Sequence, residues 1–324
     1  MVNVRRESFA ITGTFAISRG AKTQADVVVV ELSDGSHRGR GECVPYARYG
    51  ETIEGVIAAI EQMGIAFAGG LTRAALQRAM PAGAARNALD CALWDLEAKR
   101  AGRRVHELAG LSAPKPLTTA YTISIGTPDE MAEAAARAAH RPLLKVKLGS
   151  DGDAARIAAV RRAAPQAELI ADANEGWTPD NLETNLYACA VAGVTLVEQP
   201  LPAANDEALA AVSRAIPVCA DESVHDRASL ATLVGKYDAV NIKLDKTGGL
   251  TEAFAMADEA RARNFAIMVG CMVSSSLSIA PAILVAQRAR VVDLDGPLLL
   301  AEDRPDGLRY EGSKLFSAEA KLWG

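Results

Sequence analysis

Between residues 143 and 223 one pattern recurs four times: LLKVKLG at 143–149, ELIADAN at 168–174, VTLVEQP at 194–200 and VCADES at 218–223. Each run is short, mostly apolar, and carries a charged side chain at or near its end. The runs lie about 25 residues apart, with helix-like segments between them. Short apolar runs at this spacing read as buried parallel strands joined by crossover helices. Working outward, the rhythm continues in Thr118–Ile125 before them and in Ala239–Leu244, Ala266–Cys271 and Val291–Asp295 after them. The intervening helices begin near Pro128, Asp151, Pro179, Asn205, Asp226, Thr251 and Ser274, several with Pro in the first turn or an Asn, Asp or Ser cap. Eight strands and seven helices predict a closed α/β barrel, (β/α)7β and TIM-like, over residues 116–299. An open doubly wound sheet is the alternative, but no glycine-rich phosphate fingerprint follows the early strands.

Residues 1–115 have a different character. DVVVVEL at 26–32 reads as a strand, Asp34-Gly35 as a two-residue hairpin turn, and the stretch ending at Gly41-Glu42-Cys43 as its partner. Helical segments follow over Thr52–Met63 and Ala84–Arg100, the second placing Leu89, Leu93 and Leu96 at helical spacing before Gly102. This is a small α+β domain. A chain of 324 residues has room for it beside one barrel of about 200 to 250 residues.

Bulk composition narrows the function. With 49% hydrophobic and 23% charged residues the chain is an ordinary globular protein. A net charge of −5 argues against nucleic acid or an anionic membrane as partner. Cys43, Cys91, Cys189, Cys219 and Cys271 are scattered, so buried free thiols are expected rather than zinc or disulfides. No signal-peptide core opens the sequence and no apolar run has membrane-spanning length, which predicts a cytoplasmic protein.

Charges inside buried strands need a reason. The second strand carries Lys145 and Lys147, the third Asp172, the fourth Glu198, the fifth Asp221, the sixth Lys243, and the eighth Asp293 and Asp295. In β/α barrels such strand ends converge on the active site. Asp172, Glu198 and Asp221, hard oxygen donors on consecutive strands, suit Mg²⁺. Ion pairs with the lysines, or caps of the following helices, are the plainer account of each carboxylate. Lys145 and Lys147 point to one side of their strand, and Lys243 stands across the barrel. Two amino groups on opposite faces of a substrate, beside a metal that binds its carboxylate, permit an α-proton to leave on one side and return on the other.

These motifs resemble the muconate-lactonizing-enzyme subgroup of the enolase superfamily, and within it the dipeptide epimerases. The resemblance runs through LLKVKLG, ADANEGW at 171–177, VEQPL at 197–201, CADES at 219–223 and NIKLDKTGG at 241–249. GECVPYARYGET at 41–52 and ALDCALWDLEAKRAG at 88–102 carry it into the first domain. It implies a capping domain over 1–115, completed by residues 300–324, and one Mg²⁺ per subunit on Asp172, Glu198 and Asp221. Lys147 and Lys243 become the opposed bases, and Lys145 the cation that neutralises the bound carboxylate. Asp293-Leu294-Asp295 becomes the site for a dipeptide's α-ammonium group, although Gly296-Pro297 behind it also suits a plain turn. Arg19, in the loop after the first strand, becomes the partner of a glutamate side chain, and Ser124 a further substrate contact. The implied reaction is 1,1-proton transfer at the α-carbon of the C-terminal residue, turning L-Ala-L-Glu into L-Ala-D-Glu in murein peptide metabolism. A homo-oligomer is in keeping with the resemblance.

His37, His106, His140 and His225 end no strand, which speaks against a histidine base. Other activities of the same subgroup share the lysines and carboxylates: o-succinylbenzoate synthase, N-acylamino-acid racemase and muconate cycloisomerase. The Asp-x-Asp separates them, because substrates without a free ammonium gain nothing from it. A Schiff-base aldolase would not need three carboxylates, and a barrel kept only for binding would have lost one of the catalytic positions. Tyr46, Arg48 and Tyr49 lie in a loop expected to close the site, without assignable roles.

Overall fold

The computed structural model describes residues 1–324 and opens with an antiparallel sheet of β1 (Val2–Ile17), β2 (Gly20–Ser33) and β3 (Arg38–Cys43). β1 has few consecutive apolar residues, and pairing against β2 is what makes it a strand, with Val2 opposite Leu32 and Val4 opposite Val30. Helices Ile53–Gln62, Arg73–Ala79 and Ala84–Ala101 cover one face. Val28, Val30, Leu32, Ile60, Leu76, Leu89 and Leu96 form a separate core there. Burying such a side chain contributes roughly 1.5–3 kcal/mol, so this domain carries a core of its own.

The chain then enters β4 (Leu117–Thr118) and eight parallel strands: β5 (Tyr121–Ile123), β6 (Leu143–Lys147), β7 (Glu168–Asp172), β8 (Val194–Glu198), β9 (Val218–Ala220), β10 (Ala239–Ile242), β11 (Ala266–Gly270) and β12 (Val291–Asp293). They neighbour one another in sequence order, and Ala120 N donating to Val292 O at 2.8 Å joins the last strand to the first. Thr118, expected to open the first barrel strand, belongs elsewhere. β4 pairs with the C-terminal hairpin of β13 (Tyr310–Glu311) and β14 (Lys314–Leu315). The chain end then returns to the first domain, where Trp323 Nε1 donates to Cys91 O at 3.0 Å and Gly324 N to Asp95 Oδ1 at 2.7 Å.

Two expected helices are replaced by 3-10 turns. The connection from β8 to β9 is largely taken by the loop after Gln199, which leaves room only for Glu207–Ala210 ahead of Pro217. Asp226 does cap, accepting from Ala228 N and Ser229 N, but Arg227–Leu233 winds as 3-10 and Gly235 at positive φ ends it. A short helix, Leu244–Thr247, follows the sixth barrel strand instead.

Buried polar contacts bind the first domain to the barrel close to that helix. Arg86 donates to Thr247 O at 2.7 Å and Gly248 O at 3.1 Å, and Asp245 accepts from Val44 N at 3.0 Å and Asn87 Nδ2 at 2.8 Å. The helix Ala84–Ala101 is thereby fixed to the segment just after Lys243. No helix is long and apolar enough to cross a membrane.

Candidate active site

Side chains inside a barrel alternate along each strand with period two. The lowest interior layer is apolar: Ala120, Leu143, Ile170, Leu196, Cys219, Ala239, Met268 and Val291 form one buried cluster, one residue from each strand or its lead-in. Two residues further along stand Thr122, Lys145, Asp172, Glu198, Asp221, Asn241, Gly270 and Asp293. Two further still come Lys147, Asn174, Lys243 and Asp295. The period that builds the apolar floor therefore delivers every charged residue expected on the barrel strands to the barrel mouth. Gly270 has no side chain for a steric reason: a Cβ there would lie 2.8 Å from the Asn241 amide, which instead donates to Glu198 Oε1 at 2.7 Å.

The charges meet as ion pairs. Lys145 Nζ lies 3.1 Å from Asp172 Oδ2, 2.7 Å from Glu198 Oε2 and 2.7 Å from Asp293 Oδ2. Lys147 donates to Asp172 Oδ2 at 2.6 Å and Lys243 to Asp221 Oδ2 at 2.6 Å. Lys246 donates to Asp221 Oδ1 and to the carbonyls of Asp221 and Asn241. All of these side chains are buried. Burial opposes charge on Asp221, but Lys243 and Lys246 outweigh it and hold the carboxyl well below its ordinary range. Asp172 is likewise held down by Lys147 and Lys145 against its burial. Glu198 differs: burial, then repulsion from Asp172, push it up to about 7. Burial also opposes charge on Lys145 and Lys243, yet Asp293 beside the first and Asp221 beside the second keep both well above the usual lysine value.

This donor set fits a hard divalent cation. Asp172, Glu198 and Asp221 offer only oxygen, and Glu198 Oε2, although 2.7 Å from Lys145 Nζ, is a buried oxygen without a hydrogen bond. The carboxylates are not drawn together into a ready ligand cluster, because each is closed on an ammonium. Ion pairing and metal binding are thus two uses of the same side chains.

One cavity collects these groups. Lys145, Lys147, Asn174, Asp221, Lys243, Met272, Asp293 and Asp295 line it from the barrel, and Phe15, Ile17, Arg19, Lys22, Tyr46 and Tyr49 from the first domain. Asp293 Oδ1 has no hydrogen-bond partner. Asp295 accepts from Thr122 N at 2.7 Å, and its burial beside Asp293 pushes its carboxyl up to about 6.

Two expected contacts fall differently. Ser124 does not line the cavity; its Oγ accepts from Ala16 N at 3.3 Å and faces Thr14 O at 3.4 Å, tying β1 to the barrel. Arg19 lines it, but its guanidinium is already engaged by Glu222 at 2.6 Å, Glu175 at 3.1 Å and Asn174 O at 2.6 Å. Lys22, three residues on at the start of β2, has no ion-pair partner; the Tyr46 ring is 5.7 Å away. Glu222, Lys246 and Lys22 carried no assignment from sequence. Lys246 was within reach of one, since it follows Lys243 by one helical turn.

The comparisons agree with this geometry. Residues 1–110 match the mandelate racemase/muconate lactonizing enzyme N-terminal domain, and residues 129–305 the enolase C-terminal domain-like family. The chain belongs to this family, the class that its barrel, cap and strand-end charges define. It is 47% identical over 316 residues to the L-Ala-D/L-Glu epimerase of Escherichia coli (strain K12), covering 97% of this chain and 98% of that protein. The fold is similar to the crystal structure of an enolase family member from Agrobacterium tumefaciens with homology to dipeptide epimerases, which holds sodium and L-Ala-L-Glu. The TM-score is 0.98 at 57% identity, over 100% of this chain and 99% of that one. A dipeptide epimerase from Enterococcus faecalis V583, complexed with Mg and L-Leu-L-Tyr, gives a TM-score of 0.92 at 30% identity over 99% and 98%.

Proposed function

We propose that this chain is a Mg²⁺-dependent isomerase that epimerises L-Ala-L-Glu to L-Ala-D-Glu in cytoplasmic murein peptide metabolism. One observation carries the reading. Lys147 on the second barrel strand and Lys243 on the sixth reach one cavity from opposite sides, with Asp293 and Asp295 on the wall beside them. The named relatives, one an L-Ala-D/L-Glu epimerase and one structure holding L-Ala-L-Glu, support the choice of dipeptide.

Asp172, Glu198 and Asp221 would hold the ion, which when bound supplies positive charge beside the substrate carboxylate and relieves the lysines of their counter-charges. Lys147 takes the α-proton on one face, and the Lys243 ammonium returns a proton to the other; the reverse reaction exchanges the roles. Lys145 stays cationic against Asp293, Glu198 and Asp172, flanking the charge that builds on the substrate. Asp293, with a free Oδ1, receives the α-ammonium group, and Asp295 stands beside it. Lys22 rather than Arg19 receives the glutamate side chain, because Arg19 is already matched by Glu222 and Glu175.

Proton exchange in D₂O with Mg²⁺, followed by NMR, tests this on L-Ala-L-Glu, L-Ala-L-Phe, L-Ala-L-Lys and N-succinyl amino acids. Deuterium uptake and inversion at the second residue of L-Ala-L-Glu are expected. Turnover of the N-succinyl compounds alone would overturn the dipeptide reading in favour of an N-acylamino-acid racemase.

A further inference from the structure

Two segments of the first domain reach over the barrel mouth, the turn between β1 and β2 and residues 46–50, and both end on one carboxylate. Glu175 accepts from Arg48 Nε at 2.8 Å and Nη2 at 2.7 Å, from Arg19 Nη1 at 3.1 Å, and from Ala203 N at 2.9 Å. Only 7% of its side chain is exposed. Arg19 also donates to Tyr46 OH at 3.1 Å, so the two segments hold each other as well as Glu175. Ser18 Oγ and Arg19 Nη1 both donate to Asn174 O, at 3.0 and 2.6 Å. Beneath the turn lies Gly149, where a Cβ would stand 2.8 Å from Ser18 Cβ, so the turn seats directly on the loop after Lys147.

The backbone that presents Glu175 is unusual. Asn174 and Glu175 have φ of 44° and 65°, a costly conformation for side-chain-bearing residues that is often kept at functional sites. Glu175 N donating to Gln199 O at 2.9 Å holds it there. The carboxylate thus sits three residues beyond Asp172, at the rim rather than in the cavity.

We infer that Glu175 is a positioning residue, the clasp that latches both capping segments onto the barrel and holds Lys22, Tyr46 and Tyr49 around a bound dipeptide. It acts through Arg19 and Arg48 and touches no reacting atom. Its kinetic consequence rests on the dipeptide reading; the latch itself does not.

Trypsin reads the latch directly, because Arg19, Lys22 and Arg48 are themselves cleavage sites. In the full chain, Glu175→Ala is expected to be cut at these positions about tenfold faster than the parent, and Arg48→Ala at Arg19 and Lys22 likewise. KM for L-Ala-L-Glu should rise about tenfold in both, with kcat changing less than about threefold. The double variant should be no worse than Glu175→Ala, since the one ion pair that Arg48 makes is already lost with Glu175. Unchanged cutting, or faster cutting with unchanged KM, would overturn the clasp. A fall in kcat at constant KM would also overturn it, by placing Glu175 in the chemistry. Should Glu175→Ala not fold, Arg48→Ala supplies both readouts. If the parent turns over no dipeptide, proteolysis still decides the latch, and the two failures stay separate.

Discussion

Lys145 and Lys147 close on one and the same carboxylate oxygen, Asp172 Oδ2, at 3.1 and 2.6 Å. Their shared direction follows from strand geometry, but their environments differ. Lys145 is also bound by Glu198 and Asp293, whereas Asp172 is the single ion-pair partner of Lys147. A cation committed to Asp172 therefore frees Lys147 and leaves Lys145 charged. In the proposed reaction the same strand would supply one proton carrier, Lys147, and one fixed cation, Lys145.

Opposed bases make a stereochemical prediction. Lys147→Ala and Lys243→Ala should each slow epimerisation by roughly 10²–10⁴-fold. Each variant should still exchange the α-proton of one epimer, and the retained epimer should differ between them. NMR in D₂O on both epimers decides the matter; a variant that still inverts at the parent rate would dismiss its lysine as a base.

Selectivity should follow Lys22. Lys22→Met should lower kcat/KM for L-Ala-L-Glu by about 1.5–3 kcal/mol, the worth of a hydrogen bond to a charged group, while a neutral dipeptide loses little. Arg19→Met should weaken every dipeptide alike, since that residue holds Glu222 and Glu175. If the glutamate preference vanished with Arg19 and survived without Lys22, the assignment would be reversed.

Mg²⁺ should stabilise the fold by mass action, about 2.7 kcal/mol at a hundredfold excess over Kd. Glu198→Gln should abolish most of that gain at a smaller cost to basal stability, because burial and Asp172 push the Glu198 carboxyl up and already disfavour its charge. Calorimetry with and without EDTA reads both quantities, and a Mg²⁺-dependent rise in Tm undiminished in the variant would remove Glu198 from the ligand set.

Asp90 gives a pH prediction away from the site. Its carboxyl accepts from Thr251 N at 2.8 Å and Gln77 Nε2 at 3.0 Å, yet burial pushes it up to about 6. A carboxyl with a folded pKa above its unfolded value disfavours the folded state once ionised. The contribution is fully present below about 4 and is lost as pH rises through 6, a change of about 3 kcal/mol. Asp90→Asn should flatten that part of the profile, with Gln77 Oε1, now a buried oxygen without a partner, accepting from the new amide. Urea melts of both proteins from pH 4 to 8 would show it; a constant difference between them would refute it.

Much of this is legible along the chain, and particular residues show why. A strand's period of two is local, so Lys145 with Lys147, and Asp293 with Asp295, share faces whatever surrounds them. Strands buried on both sides tolerate no idle charge, which made Asp172, Glu198, Asp221 and Lys243 conspicuous. The helices expected at Asn205 and Asp226 failed for the complementary reason. Their caps and apolar residues are local signals, but the length left to wind was set by the loop after Gln199 and by the turn at Gly235.

Periodicity and burial act between near neighbours, so the barrel, its cap, the ordered carboxylates and lysines, and through them the family, are legible along the chain. The matching of the charges, by contrast, emerges from the folded arrangement. Arg19 is engaged by residues more than 150 positions away, Lys22 is left free, Ser124 turns to β1, and Glu175 gathers two arginines from the first domain. Charge pairing depends on distance in space, and spacing along the chain carries no trace of which cation arrives first at a given carboxylate.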